Sequence, residues 1–245
     1  MTSEIPLSAK IDVENYRFSN AVKAKILSGL SALSDKKLEW LVIEHYQFSK
    51  ANVDLLQAAV RCTAALADER VSAELQRNVE EEDGHAPMYK QGMLNIGTDM
   101  ERRVEFPPTS VFLRKMRDLA STNSSRALGV LYASETAAIF EHEVFDLICA
   151  QLAARRGHAY EGSLIKEFHD IHLGGGVEQG HKDGLSALID FGDNVFPRRG
   201  EPIDHEALYA GAIESIRSMQ MWWQDLLEVV FSRAAPEHLV PIVDS

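Results

Sequence analysis

The chain has 245 residues and a formal net charge of −12, with 45% hydrophobic and 25% charged residues. That composition carries enough apolar surface to fold and excludes a disordered tail or a fibrous repeat. The acidic balance argues against nucleic acid as the main partner, and no run of about 18 apolar residues offers a bilayer span.

Helical periodicity dominates, and no alternating strand pattern stands out. Leu38, Leu41, Phe48, Leu55 and Leu56 set a helix over about 34 to 66, with Ser34 as its N-cap and Asp35 favoured by the helix dipole. A second helix runs from about Asp68 to Ile96 and stops at Gly97. Pro107-Pro108-Thr109 closes an extended connector, after which Val111, Phe112, Met116 and Leu119 begin a third. Ser121 to Ser125 is a polar break before a long apolar helix over about 126 to 154, closed by Arg155-Arg156-Gly157. Shorter helices follow over roughly 162 to 172 and, after Gly174-Gly175-Gly176, up to about Phe191. Pro197 to Pro202 reads as a turn-rich loop, and a last helix spans about Asp204 to Arg233. No linker separates two domains, so residues 1–245 are expected to form a single all-α domain of seven to eight helices. Met1 to Lys10 lack a signal-peptide pattern, and Cys62 and Cys149 sit in apolar helical patterns as buried thiols. Both point to a cytoplasmic protein.

Four acids fall where apolar residues belong. Glu44 shares a face with Leu41, Phe48 and Leu55; Glu82 lies on the line Leu75, His85, Tyr89, Met93. Glu135 sits with Leu128, Leu131, Ala138, His142 and Phe145, and Glu178 with His181, Leu185 and Leu188. A carboxylate facing a core is costly unless a charge or a metal compensates it. Two of the four continue as Glu82-x-x-His85 and Glu178-x-x-His181, a spacing that puts both side chains on one helical face. Chance alone supplies roughly one such pair in a chain of this composition, so the spacing is weak evidence by itself. The order Glu, Glu-x-x-His, Glu, Glu-x-x-His on successive helices is the inventory of helix-bundle carboxylate sites for two irons or two manganese ions. Singly, Glu44 reads as well as a rim carboxylate, each Glu-x-x-His as a solvated face, and His142 as a satisfied core histidine. Both pairs lie beside backbone breakers, Asp83-Gly84 with Pro87 and the glycine run at 174 to 176. These breakers suit bulges inside helices, or plain helix ends; a bulge would turn His172 toward Glu178 and His181.

The segment Asn78 to Tyr89, followed by Gly92 and Ile96-Gly97, resembles the second-helix signature of the heme-oxygenase-like di-iron oxidases. Gly129-Val130-Leu131-Tyr132-Ala133-Ser134-Glu135 resembles that family's G-x-L-Y-x-x-E helix. Phe168 to His172 through Glu178-Gln179-Gly180-His181 resembles its histidine, carboxylate, histidine helix. The family includes CADD-like proteins, the undecene-forming fatty-acid decarboxylase and oxygenases of amines or amino acids; thiaminase-like and pyrroloquinoline-quinone-synthase-like proteins are distant, metal-free relatives. The resemblance implies a heme-oxygenase-like helical bundle with Glu82, His85, Glu135, Glu178 and His181 as ligands of two Fe ions, Mn being the other metal considered. The family's earlier histidine falls here on Gly174 and its aspartate on Glu178, so His172 is the replacement candidate; Glu44 is a further candidate ligand on the periodicity of its helix alone.

The expected function is that of a non-heme di-iron oxygenase or oxidase using O2 as co-substrate on a small organic molecule: an amine, amino acid or fatty acid. Arg61, Lys166, Lys182 and Arg217 are candidates to hold a substrate carboxylate, against a plainer role as surface charges. Met219 to Trp223 reads as core more readily than as a pocket wall. The alternatives are a ferritin-like iron-handling protein, a metal-free enzyme using Glu82, Glu135 and His85 in acid–base chemistry, and an interaction protein with a vestigial site. A homodimer is the default expectation for the assembly.

Overall fold

The computed structural model describes residues 5–173, 176–191 and 200–232. The nine α-helices among them are α1 (Leu7–Gly29), α2 (Asp35–Thr63), α3 (Glu69–Glu82), α4 (His85–Asn95) and α5 (Pro107–Thr122), then α6 (Ser124–Arg155), α7 (Leu164–His172), α8 (Val177–Phe191) and α9 (His205–Phe231). No strand occurs among the described residues, and the expected single all-α domain is what forms.

α6 is the axis of the bundle. Its run of Ala, Leu, Val, Ile and Phe is apolar on every side, and a helix of that kind is stable only when surrounded. α1, α2, α5, α8 and α9 pack around it, and α3, α4 and α7 close the end that carries the acids. One contiguous core runs through all nine helices, with Leu41, Leu56, Leu128, Phe145 and Trp223 fully buried within it. Met219, Trp222 and Trp223 belong to this core, whereas Met221 points outward. The Trp222 ring stacks on Phe112 at 4.4 Å.

Several boundaries moved for local reasons. Ser34 stands at the N-cap of α2, but its side chain makes no capping bond. Pro107 is the first residue of α5, where its missing N–H costs nothing. The polar break at 121 to 125 shrinks to Asn123, whose side chain accepts the Arg126 amide at 3.0 Å and caps α6. α1 shows no plain apolar stripe in the sequence because Ser8, Asn15 and Ser19 alternate with Ile11, Phe18, Val22 and Ile26 on its buried face. Asn15 spends its amide on the Ala133 carbonyl at 3.0 Å. Gly174, Gly175, residues 192–196, residues 197–199 of the expected loop and Arg233 lie outside the described residues.

The single helix expected over 68 to 96 is two. α3 stops at Glu82, Asp83 turns extended, and Gly84 takes φ +95°, which L side chains rarely adopt. His85 then opens α4, and Pro87 falls in its first turn. The breaker at Asp83-Gly84 is therefore a helix end, with no bulge.

Candidate metal centre

The end of α3, the start of α4, the middle of α6 and the facing ends of α7 and α8 converge on one buried cluster. Three groups within it bring ligand atoms to within 4.8 Å of one another: Glu82 with His85 and His172, His142 with His172 and Glu178, and Glu135 with Glu178 and His181. Glu178 and His172 each belong to two groups, so the seven side chains form one continuous cluster.

The broken helix delivers the first group. Because α3 ends before α4 begins, Glu82 and His85 are not stacked along one helix; the turn at Gly84 folds them together, with Glu82 Oε1 3.2 Å from His85 Nδ1. α4 then packs on α7 through Tyr89, whose ring stacks on Phe168 at 4.6 Å. This brings His172 Nε2 to 3.1 Å from His85 Nδ1. His172 Nδ1–H donates to the Phe168 carbonyl at 2.6 Å, which leaves Nε2 as the lone pair facing the cluster. Thus the last residue of α7 brings an imidazole into the cluster. A Cβ on Gly176 would lie 2.0 Å from the Ile171 carbonyl, so only glycine permits α8 to start so close to α7.

α6 and α8 supply the rest. His181 Nδ1 lies 3.1 Å from Glu135 Oε2, and its Nε2 lies 2.8 Å from Glu81 Oε2. His142 Nε2 approaches Glu178 Oε1 at 3.5 Å while its ring stacks on His172 at 4.0 Å. His142 reads as a core histidine in the sequence, yet it stands in the second group; its position seven residues after Glu135, two turns along the same face of α6, is the signal that pointed there.

Glu44 is the correction. Its carboxylate is buried, but on the far side of α2, where Arg103 Nε and a terminal nitrogen bind its two oxygens at 2.9 and 3.0 Å. This forked ion pair uses both oxygens, and Glu44 belongs to none of the three groups. The next residue, His45, turns the other way: it stacks on Phe145 at 3.7 Å and faces Glu141 at 3.4 Å, beside His142. Glu141 in turn accepts the Trp223 indole N–H at 2.7 Å.

The titration of the cluster follows from burial and crowding. Burial, then the charges of Glu135 and Glu82, push the Glu178 carboxyl well above the usual range. Burial and the neighbouring His172 hold His142 well below the ordinary histidine value, and burial likewise lowers His172. Burial also opposes charge on His181, but hydrogen bonds and charge from Glu135, with Glu81, outweigh it and raise the imidazolium to about 9. Burial works against the Glu82 anion too, and His85 more than offsets it. Glu178 Oε2 has no hydrogen-bond partner, and Glu82 Oε1 has only the 3.2 Å approach of His85 Nδ1.

A cavity of about 30 Å³ opens on the cluster between α2, α6 and α7. Its walls include Phe48, Ser49, Asn52, Ala138 and Phe168 beside Glu82, His85, His142, His172 and Glu178. Asn52 donates to Glu82 Oε2 at 3.3 Å, a contact the sequence did not flag. None of the four cations considered for a substrate carboxylate reaches this cavity. Lys166 pairs with Asp170, Lys182 with Asp12, Arg217 lines a separate groove between α1 and α9, and Arg61 is exposed.

The architecture defines a helical bundle of the heme-oxygenase-like fold holding a buried glutamate–histidine cluster. The fold is shared with solved structures that differ widely in sequence. A CADD-like protein of unknown function from Nostoc punctiforme superposes with a TM-score of 0.71 at 20% identity, over 90% of this chain and 100% of that one. A domain of unknown function with a heme oxygenase-like fold from Shewanella denitrificans gives 0.67 at 16% identity, covering 92% and 94%. A TenA homolog from Pseudomonas syringae gives 0.63 at 13% identity, covering 93% and 96%. No family model matches the sequence, and no curated protein matches it.

Proposed function

We propose that the chain is a non-heme di-iron oxidase or oxygenase that uses O2 to oxidise a small organic substrate. The observation that carries the reading is the convergence of three glutamates and four histidines, all but His85 buried, with Glu178 Oε2 left without a hydrogen-bond partner. An unpaired carboxylate oxygen among imidazoles in a low-dielectric interior is costly unless a cation completes it. Oxygen and nitrogen donors without thiolate suit iron or manganese. Glu82, His85 and His172 would hold one ion and Glu135, Glu178 and His181 the other, with His142 and the two-sided Glu178 between them.

The cluster would hold two ferrous ions, whose chemistry when bound would be the reduction of O2. The chain's own residues set the conditions. The Phe168 carbonyl fixes the His172 tautomer. Asn52 orients Glu82 from the cavity side. Phe48, Ala138 and Phe168 exclude water from the cavity, and Ser49 and Asn52 are the polar groups available to a substrate there. The cavity volume of about 30 Å³ fits a water or a diatomic, so an amine, amino acid or fatty acid would enter by displacing side chains of α2. The free thiols of Cys62 and Cys149 support a reducing, cytoplasmic setting, and a homodimer that binds neither nucleic acid nor membrane completes the proposal.

The test is anaerobic Fe(II) titration followed by mixing with O2. Uptake of two irons per chain, with O2 consumed and no mineral formed, is expected. A chain that binds no stoichiometric iron would move the assignment to metal-free acid–base chemistry.

A further inference from the structure

We propose that Glu81 is the positioning carboxylate of the His181 ligand: it accepts the Nε2 proton, and so fixes the tautomer whose Nδ1 lone pair faces Glu135 and Glu178. The inference rests on the metal reading above and concerns a residue outside the three groups.

His181 is fully buried between two carboxylates, one on each ring nitrogen, at 2.8 Å for Glu81 and 3.1 Å for Glu135. A neutral imidazole has one N–H and one lone pair, so only one of the two sides is a donor contact. Charge decides which. The Glu81 side has a cation, because Arg77 donates to both Glu81 oxygens at 3.1 and 3.0 Å while also pairing with Glu74. The Glu135 side holds a second carboxylate, Glu178, and among the described residues only histidines pair with the two, so it is the side where a cation is needed. The proton therefore belongs on Nε2 and the metal on Nδ1.

The helix geometry separates the roles. Glu81 and Glu82 are adjacent on α3, and a step of one residue turns a side chain by roughly 100°. Glu82 thus enters the cluster, while Glu81 stays at its rim with 37% of its side chain exposed. Arg77 also reaches the Gly180 carbonyl at 3.4 Å, tying α3 to the residue just before His181. The result is a carboxylate–histidine–metal arrangement whose outer end touches solvent, which gives the ligand's proton an exit.

The experiment compares wild type, Glu81→Ala, Glu81→Gln and the neighbouring control Glu80→Ala by anaerobic Fe(II) and Mn(II) titration. Imidazole ¹⁵N NMR of the metal-free proteins above about pH 9, where His181 is neutral, reports its tautomer. Expected are an Nε2–H tautomer in wild type, its loss in Glu81→Ala, and metal affinity weaker by about 10- to 100-fold there. Glu81→Gln, whose amide oxygen still accepts the hydrogen bond from Nε2–H, should recover most of that loss and serves if the alanine variant does not fold; Glu80→Ala should match wild type. Wild-type affinity in Glu81→Ala with two metals still bound, or an Nδ1–H tautomer in wild type, overturns the proposal and leaves the metal reading standing. A wild-type chain that takes up neither ion overturns both.

Discussion

Glu44 and Glu178 are alike in sequence and opposite in structure. Each is a carboxylate on an apolar helical stripe, and each is almost wholly buried, at 0% and 3% exposed. Glu44 has both oxygens bound by Arg103 from the connector before α5, so its charge is closed within the protein. Glu178 faces Glu135, His142 and His181 with one oxygen unpartnered, so its charge is left for something else to complete. A periodic acid on a core face signals that compensation exists; it does not say whether the partner is an arginine or a metal.

The largest effect expected from breaking this contrast is at Glu178. Glu178→Ala removes a donor from two of the three groups and should lower Fe(II) affinity on the order of a hundredfold or more, read by anaerobic titration. Its metal-free form should keep helical content and melt no lower than wild type, because a buried acid lacking a cation is gone. The double variant Glu135→Ala/His181→Ala should likewise abolish iron loading with its circular dichroism preserved.

Glu44→Ala should do the reverse. Leaving Arg103 with no partner costs about 3 kcal/mol, the low end for a broken buried pair because that side chain is partly exposed. Chemical denaturation would show the loss, and iron affinity of the folded fraction should change less than about twofold, as expected of a group outside the site. A Glu44 variant that lost iron would place the acid back in the site.

pH sharpens the contrast further. His181 is raised to about 9, so its stabilising charge is present below the ordinary value of 6.5 and lost as pH climbs to 9. Glu178, raised well above 4.5, costs more the further it is driven to ionise, which also favours low pH. The metal-free protein should therefore lose melting temperature between pH 6.5 and 9. The metal-bound form uses the deprotonated ligands, so the gain in melting temperature on metal binding should widen with pH. A gain that does not change with pH would contradict a metal at His181.

The smallest effect is expected at Asn52. Asn52→Ala removes one 3.3 Å contact to Glu82 and should weaken iron binding by less than about tenfold. Calorimetric titration would read it.

Sequence by itself determined the helical class and the apolar helix over about 126 to 154, added His172 through a family resemblance, and offered Glu82, His85, Glu135, Glu178 and His181 as candidate donors. Helical periods put these on inward faces, and that is a local property of the chain. Tertiary structure decided the rest. Whether Glu82 and His85 lie along one helix or across a break depended on the left-handed turn at Gly84. Whether His142 fills core space or joins the cluster depended on α7 bringing His172 against its ring. Whether Glu44 or its neighbour His45 faces the site side depended on which way α2 is rotated about its axis, and Arg103, 59 residues along the chain, settles it. Compensation of a buried charge is a contact between distant segments, and periodicity within one helix carries no information about it.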